Sequence, residues 1–285
     1  MVNLLPQEYE AQFMTFFFVL LRVGAAVFTM PVIGAQSVSR TIRFGISFWL
    51  AVILVTPYLG LGQAPIADTI PPSVRVYHGV VEFSIACISE FLIGYSLGFM
   101  FQILIATIGF SGEIIGKEAG FSAASVFDPI TGEDNFLLAQ INVWIGTLIF
   151  LIIGGPEMVF RAVADSFHVV NPGEIIAIHR LGDASYRAFL FDDGRHYALM
   201  TILYSVGLRM ALPMIGSMLL ISLAEAFIAR TAPQLNVMSV GFAVRMAIAL
   251  FLLANIFVYV VMVFKPHLQL YLSYSKAFLG RLAPS

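Results

Sequence analysis

The chain has few charged residues for its length. Asp, Glu, Lys and Arg together make up 11% of its 285 residues, whereas soluble domains carry about 25%. Hydrophobic residues reach 59%, and the mean hydropathy is +0.91. A soluble fold of this size could not cover its core with so few charges, so a lipid bilayer or a large protein assembly must surround it. The net charge of −2 also provides no basic surface for nucleic acid.

Residues that commonly serve in catalysis or metal binding are few in this chain, and those present do not show the spacing of a known motif. The single cysteine, Cys87, lies in an apolar run, which excludes an intramolecular disulfide and favours a small buried hydrophobe over a nucleophile. The five histidines show no HExxH spacing, and the chain has no GxxxxGK[ST] phosphate loop. We therefore expect that the chain is not an enzyme, and that it has no catalytic residue, bound metal or cofactor. The first apolar run has no Lys or Arg before it, so we expect it to be retained rather than cleaved as a signal peptide.

Long apolar runs are what the chain does have. A helix needs about 20 apolar residues to cross a hydrocarbon layer of roughly 30 Å. The third and fifth runs are longer than that, so they must tilt, extend beyond the membrane or pass through protein. We predict an all-α membrane protein in which about six apolar segments form helical hairpins, with short interfacial helices in 157–195 and an amphipathic tail at 265–285. The runs cover residues 11–30, 44–62, 76–111, 136–155, 197–229 and 240–264.

Six charged side chains lie within or near these runs. Each would cost about 2.5–3.5 kcal/mol at the centre of a membrane helix, and six together would exceed the net stability of a typical protein. Most must therefore face protein, water or a polar helix end. Extension from helix ends toward water, interhelical ion pairs and the lining of a wet conduit are the alternatives. A proton relay is a further alternative that no Asp/Glu/His cluster supports. The six residues are Arg22, Glu82, Glu90, Arg209, Glu225 and Arg245.

Residues 109–135 interrupt two apolar runs with Gly, Ser and Ala. Gly109, Gly112, Gly116 and Gly120 recur every three or four residues, which on a helix lets another backbone approach closely. The following segment, FSAASVFDPITGEDN, contains the turn signals Asp-Pro and Thr-Gly. Irregular backbone at membrane depth survives only where it is buried in protein or lines a cavity. Small residues with a few bulky apolar ones predict a packed, movable stopper rather than a selectivity filter.

Several sequence blocks together resemble the FliR family. They are GEIIGKEAGFSAASVFDP at 112–129, then LIFLIIGG, SFHVVNPG and ALPMIGSMLL, and finally IARTAPQLNVMSVGF at 228–242. They occur in the family's order over nearly the whole chain, so the resemblance implies one domain spanning 1–285. FliR proteins are integral components of the flagellar type III export gate, and the SctT proteins of virulence injectisomes share their architecture.

The resemblance implies an assembly. In the family, one FliR copy joins several FliP and FliQ subunits in a helical, pore-forming hetero-oligomer, with FlhB near its entrance. The assembly lies in the bacterial inner membrane at the flagellar basal body, in contact with membrane lipids, and its transient cargo is unfolded flagellar protein. Much of it stands above the bilayer plane, which would account for the two overlong runs.

The resemblance also implies roles for two sets of residues. The loop that plugs the closed pore falls on about 119–135, and the plug set comprises Gly112, Gly116, Gly120, Phe121, Ser122, Phe127, Asp128 and Pro129. A turn near the cytoplasmic entrance falls on Arg230, Pro233, Gln234 and Asn236. The chain departs from the family at Gly155-Pro156, where a Gly-His pair is common, and at Ala123, where an aromatic residue occurs.

Two other functional classes compete with a gate component. A stand-alone secondary transporter of small molecules would show an inverted repeat and a midplane site built from broken helices, and no such repeat is visible in the sequence. A purely structural membrane scaffold would tolerate loss of the loop at 119–135 as long as assembly persisted. Purification separates the first from a gate component, because a transporter should be stable alone.

Overall fold

The computed structural model is helical throughout the part of the chain that it describes. The described residues are 7–34, 38–56, 77, 79–118, 137–173, 199–231, 241, 243–251 and 262. None of them is in a strand, which confirms the predicted all-α class. The helices are α1 (Gln7–Thr29), α2 (Arg40–Val55), α3 (Val80–Glu118), α4 (Leu137–Ile152), α5 (Gly155–Val169) and α6 (Leu199–Thr231), and residues 243–251 are also helical.

Three helices have the length and apolarity of membrane spans. They cover Glu10–Thr29, Val80–Glu118 and Tyr204–Thr231. Helices α4 and α5 meet the same length and apolarity test only as a pair, and counting that pair as one span raises the number to four among the described residues. At about 1.5 Å per residue, the 39 residues of α3 extend well beyond the roughly 30 Å of hydrocarbon that a bilayer provides.

The chain divides into two compact units that share α3. Unit 1 comprises Met1–Gln102, Gly154–Ala198 and Gln269–Ser285, and unit 2 comprises Ile103–Ile153 and Leu199–Leu268. Unit 1 therefore contains α1, α2, α5 and the first part of α3. Unit 2 contains the remainder of α3 together with α4, α6 and the helical residues 243–251.

In unit 1, two glycines let α3 lie directly against α1. A side chain at Gly94 would collide with the carbonyl oxygen of Arg22, and one at Gly98 would collide with the Thr29 hydroxyl and the Ala26 carbonyl oxygen. The i,i+4 spacing of the two glycines places both on one face of α3. Their absent side chains allow the two backbones to touch, as small residues do at helix contacts in membranes.

Helix α5 packs one stripe of residues into the same unit. It begins after Gly154, which adopts the left-handed region at φ 80°, and Pro156 occupies its first turn, where the missing amide N–H of proline is tolerated. Its buried residues recur at helical spacing and are Gly155, Val159, Ala162, Val163, Ser166 and Phe167. The sequence predicted short interfacial helices over 157–195, and the part beyond 173 lies outside the described residues.

In unit 2, α6 buries one narrow stripe and exposes the rest of its surface. Every fourth residue from Val206 to Met218 is buried, whereas Leu212, Leu220 and Phe227 are exposed. Only 17% of the apolar window of this helix is buried within the chain. An apolar surface of this extent requires lipid or another protein around it.

Candidate functional site

The centre of unit 1 holds an ion pair between Arg22 on α1 and Glu90 on α3. Both side chains are 0% exposed. The guanidinium Nε donates to one carboxylate oxygen at 2.6 Å, and Nη2 donates to the other at 3.0 Å. This bidentate geometry is the strongest form of an Arg–carboxylate interaction. Two charges that would each destabilise a helix in lipid are therefore neutralised inside the protein.

The other hydrogen-bonding groups of this pair reach α5 and the turn that follows it. Nη1 of the arginine donates to Ser166 Oγ at 3.0 Å and to the Val170 carbonyl oxygen at 3.1 Å. The guanidinium carbon lies 4.2 Å from the ring centroid of Phe167. One glutamate oxygen also accepts the backbone N–H of Gly173 at 2.8 Å. A buried pair offsets its desolvation only when its remaining groups are satisfied, and here the last turn of α5 and the turn that follows it satisfy them.

The turn after α5 requires glycine at residue 173. Gly173 adopts φ +78°, in the left-handed region, and a Cβ there would lie 2.7 Å from Cε2 of Phe18. Its carbonyl oxygen accepts a hydrogen bond from the Tyr77 hydroxyl, and the Tyr77 ring packs edge-on against Phe18 at 6.1 Å between centroids. The buried charges and an aromatic cluster thus fix the same residue from two sides.

Unit 2 contains a second interhelical ion pair. Arg245 donates from Nε to a carboxylate oxygen of Glu225 on α6 at 3.1 Å, and from Nη2 to the second carboxylate oxygen and to Ser222 Oγ at 3.1 Å. The side chains are 29% and 20% exposed. Gly241 provides the space, because a Cβ there would lie 2.5 Å from a Glu225 carboxylate oxygen. The pair therefore connects α6 to the helix that follows residues 232–240.

Exchanging the two charges tests whether Arg245 and Glu225 interact in the assembled protein. Glu225→Arg alone places two cations together, and Arg245→Glu alone places two anions together, so each should reduce the amount of assembled complex. The double variant E225R/R245E restores opposite charges and should recover most of the loss. Because the pair is partly exposed, we expect a coupling of about 1 kcal/mol or less, measured from the yield and thermal stability of the purified complex. Additive losses in the double variant would show that the two side chains do not act together.

The contact between α3 and α4 is built from glycines and contains an unsatisfied amide. A Cβ at Gly112 would lie 2.5 Å from Asn142 Nδ2 and 2.8 Å from Ala139 Cα. A Cβ at Gly109 would lie 2.8 Å from Cγ2 of Val143. Asn142 is 1% exposed, and neither its Oδ1 nor its Nδ2 has a hydrogen-bond partner.

The structure brings together four of the six predicted charges and leaves the other two at exposed positions. Glu82 lies in the first turn of α3 with an exposed side chain, the environment expected of a charge that extends from a helix end. Arg209 lies on α6 and is exposed. Arg245, for which extension from a helix end was one alternative, instead forms the ion pair with Glu225.

The plug and entrance sets fall largely outside the described residues. Gly112 and Gly116 lie on α3, before the loop, and Arg230 lies exposed in the last turn of α6. The packing of Gly112 against α4 is a helix contact, and its membership of the plug set stays a prediction. The residues outside the described part are Gly120, Phe121, Ser122, Phe127, Asp128 and Pro129 of the plug set, and Pro233, Gln234 and Asn236 of the entrance set. The tail at 265–285 also lies outside it.

Sequence reasoning missed the residues that complete the Arg22–Glu90 site, and it missed the buried Asn142. Ser166, Phe167 and Gly173 lie in the block SFHVVNPG, which carried the family resemblance without a physical role. An Asn-Pro-Gly turn directly after a helix is a signal that could have identified the backbone contacts. Nothing in the sequence distinguishes Asn142 from other polar residues in apolar runs. In the part of the chain that the structure describes, no three His, Cys, Asp or Glu residues lie close enough to hold a metal ion.

Comparison with known proteins assigns the chain to a family of export proteins. The family described as "Bacterial export proteins, family 1" matches residues 13–270. The chain is 28% identical to the flagellar biosynthetic protein FliR of Bacillus subtilis (strain 168), with 85% of each chain covered. It is 30% identical to the protein of that name from Pectobacterium carotovorum subsp. carotovorum, covering 82% of this chain and 81% of the relative. The Escherichia coli (strain K12) FliR is 25% identical over 89% of this chain and 88% of its own length.

Proposed function

Because this chain belongs to the FliR family of bacterial export proteins, family 1, we propose that it forms part of the wall of the flagellar protein export conduit. It is a membrane component of the flagellar export apparatus. The observation that carries this assignment is the family match over residues 13–270, which includes all six helices apart from the first turns of α1. The conduit would pass unfolded flagellar proteins.

We propose that the chain works within a hetero-oligomer containing FliP and FliQ subunits, with FlhB at the entrance, in the bacterial inner membrane at the flagellar basal body. The apolar surface of α6 supports this, because that helix is largely uncovered by its own chain. Four of the six membrane charges pair within the chain, so Glu82 and Arg209 are the members of that set that lie at exposed positions. The proposed role needs no catalysis by this chain, and energy would come from other components.

We propose that residues 119–135 form the plug of the closed conduit. The loop connects α3, which ends at Glu118, to α4, which begins at Leu137, and these helices touch through glycines near its two ends. A loop whose two ends follow a close helix contact can seal a pore through small residues and the rings of Phe121 and Phe127. Glycine supplies the backbone freedom that opening requires.

Deletion of residues 121–131 tests the plug. We expect cells that carry the assembled gate with this deletion to leak ions, because nothing then fills the closed pore. A loop of unchanged length in which Phe121 and Phe127 are replaced by Ser should leak less than the deletion but more than the wild type. The measurement is ion flux across the membrane, alongside purification of the complex to establish assembly. Normal assembly with unchanged flux would reject the plug.

Co-expression with the partner genes tests the assembly. A gate component should be recovered in a complex with FliP and FliQ and should be unstable alone in detergent. Recovery as a monodisperse monomer that transports a small solute unaided would instead identify the secondary transporter.

A further inference from the structure

Helix α5 carries all of its ionisable side chains on one face. Glu157, Arg161, Asp165 and His168 follow each other at intervals of three or four residues, which places them within an arc of about 80° around the helix axis. Glu157, Arg161 and His168 are exposed, and Asp165 is half-buried. These four residues form the charged face of α5, which extends over about three helical turns.

The opposite face of α5 is covered by its own chain. Its buried residues recur at helical spacing from Gly155 to Phe167. Phe160 and Val163 also line a small apolar cavity together with residues of α1 and α2. A helix that lies in a membrane interface buries its apolar face in lipid. The apolar stripe of α5 is instead buried in protein, so only the charged face remains to meet the surroundings.

Helix α2, in the same unit, has an outer surface of the opposite character. No charged residue follows Arg43 in this helix, and its exposed side chains are large and apolar. Such a surface requires lipid or an apolar protein contact. The exposed apolar residues are Ile42, Phe44, Phe48, Trp49 and Ile53.

The exposed charges on α5 require surroundings that differ from those of α2. Glu157 and Arg161 form an i,i+4 ion pair at 2.6 Å, with side chains 66% and 75% exposed. The buried pair of Arg22 and Glu90 is satisfied away from water by further hydrogen bonds from α5 and the turn after it. The surface pair is joined within α5 and leaves most of both side chains uncovered. Because uncovered charges are costly in hydrocarbon, water is the medium that satisfies them.

We propose that the charged face of α5 contacts water in the assembled protein, and that α5 is therefore not the second half of a membrane span. Helices α4 and α5 have the length and apolarity of a span only as a pair. All four ionisable residues of that pair belong to α5, and none belongs to α4. The inference goes beyond the proposed conduit and does not depend on the plug.

The accessibility of introduced cysteines tests the proposal. Cys87 is the only cysteine of the chain, so Cys87→Ala gives a background for single cysteines. A membrane-impermeant, negatively charged maleimide is added to spheroplasts and to inverted membrane vesicles that contain the assembled complex. We expect Arg161→Cys and His168→Cys to react from one of the two sides. The rate should be at least about tenfold higher than for Ile53→Cys on α2, because a thiol in apolar surroundings ionises less readily.

A cysteine on the buried face of the same helix is the matched control. Val163→Cys should react only after denaturation in detergent, which also measures the total amount of thiol. If Arg161→Cys does not assemble, His168→Cys decides the result. Reaction of the assembled variants no faster than Ile53→Cys from either side would overturn the proposal, because lipid or a neighbouring subunit would then cover the charged face.

Introducing a charge gives a second measurement that needs no reagent. Ala164→Glu places a carboxylate about one turn from both Arg161 and His168, where water can hydrate it. Ile53→Glu places one on the exposed apolar face of α2. We expect Ala164→Glu to accumulate and assemble like the wild type, and Ile53→Glu to accumulate several-fold less, because a charge in apolar surroundings is costly. Equal abundance of the two variants would show that both faces have the same surroundings and would reject the proposal.

Discussion

Replacing Arg22 by Met should nearly abolish accumulation of this protein in the membrane. The substitution leaves the Glu90 carboxylate at 0% exposure with the Gly173 amide as its remaining partner. Breaking a buried ion pair by removing one member typically destabilises a protein by about 3–5 kcal/mol. A loss of only about 1–2 kcal/mol already changes cellular abundance several-fold, so the single variant should be largely degraded.

The double variant R22M/E90L should recover a large part of that loss. Two apolar residues of similar volume remove both charges, and such replacements are often neutral or stabilising. Recovery should be incomplete, because the Val170 carbonyl oxygen and the Gly173 N–H then lose their partners. Arg22→Lys should lie between wild type and Arg22→Met, since a lysine retains the charge but not the planar fork that reaches Glu90, Ser166 and Val170 together.

Quantitative immunoblotting of membranes and thermal stability of the purified complex measure this series. Arg161→Met is the control, because Arg161 pairs with Glu157 at the surface of α5 with both side chains highly exposed. Such exposed pairs contribute little to stability. Equal abundance of Arg22→Met and Arg161→Met would show that breaking the buried pair costs no more stability than breaking an exposed one.

The substitution Gly94→Ala should also strongly reduce stability. The added methyl group would overlap the Arg22 carbonyl oxygen, a backbone atom that cannot rotate away as a side chain can. Relief requires α1 and α3 to separate, and that movement also pulls Arg22 from Glu90, which lies one turn before Gly94 on α3. We expect at least the roughly 1–3 kcal/mol typical of overpacking, increased by strain in the ion pair.

Gly24→Ala supplies the comparison for this second prediction. Gly24 lies on α1, and no atom lies within 4 Å of a Cβ built there. Alanine is more favourable than glycine inside a helix by about 1 kcal/mol, so Gly24→Ala should be neutral or stabilising within the chain. The thermal stability of the purified complex measures the difference between the two variants. Equal stabilities would show that the backbones of α1 and α3 do not touch in the assembled protein.

The apolar runs located the helices well but not their ends. The run at 11–30 corresponds to Gln7–Thr29, and the run at 197–229 to Leu199–Thr231. Helix α3 was predicted over 76–111 but continues to Glu118, because its last two turns carry an i,i+4 pair of Lys117 and Glu113 on the surface. Hydropathy alone cannot detect a helix that continues through polar residues, whereas local side-chain pairs support it.

The candidate sites were only partly predictable. Because a charge in lipid is costly, the sequence indicated that Arg22, Glu90, Glu225 and Arg245 need polar partners. It did not indicate which of them pair with each other. Arg22 and Glu90 are 68 residues apart, and their pairing depends on the rotation of α1 and α3 about their own axes. The sequence also did not predict that Asn142 packs against Gly112, because a polar residue in an apolar run does not indicate which helix it will face.

The amino-acid sequence by itself determined that this protein is a membrane protein, that it is helical and that it belongs to a family of flagellar export components. These properties follow from composition, from the lengths of apolar runs and from blocks of residues in a fixed order. The tertiary structure decided which charges neutralise each other, which turn satisfies the buried pair, and that one amide remains unsatisfied between α3 and α4. These outcomes depend on helix rotation and close backbone contact, which arise only when segments distant in the chain pack together.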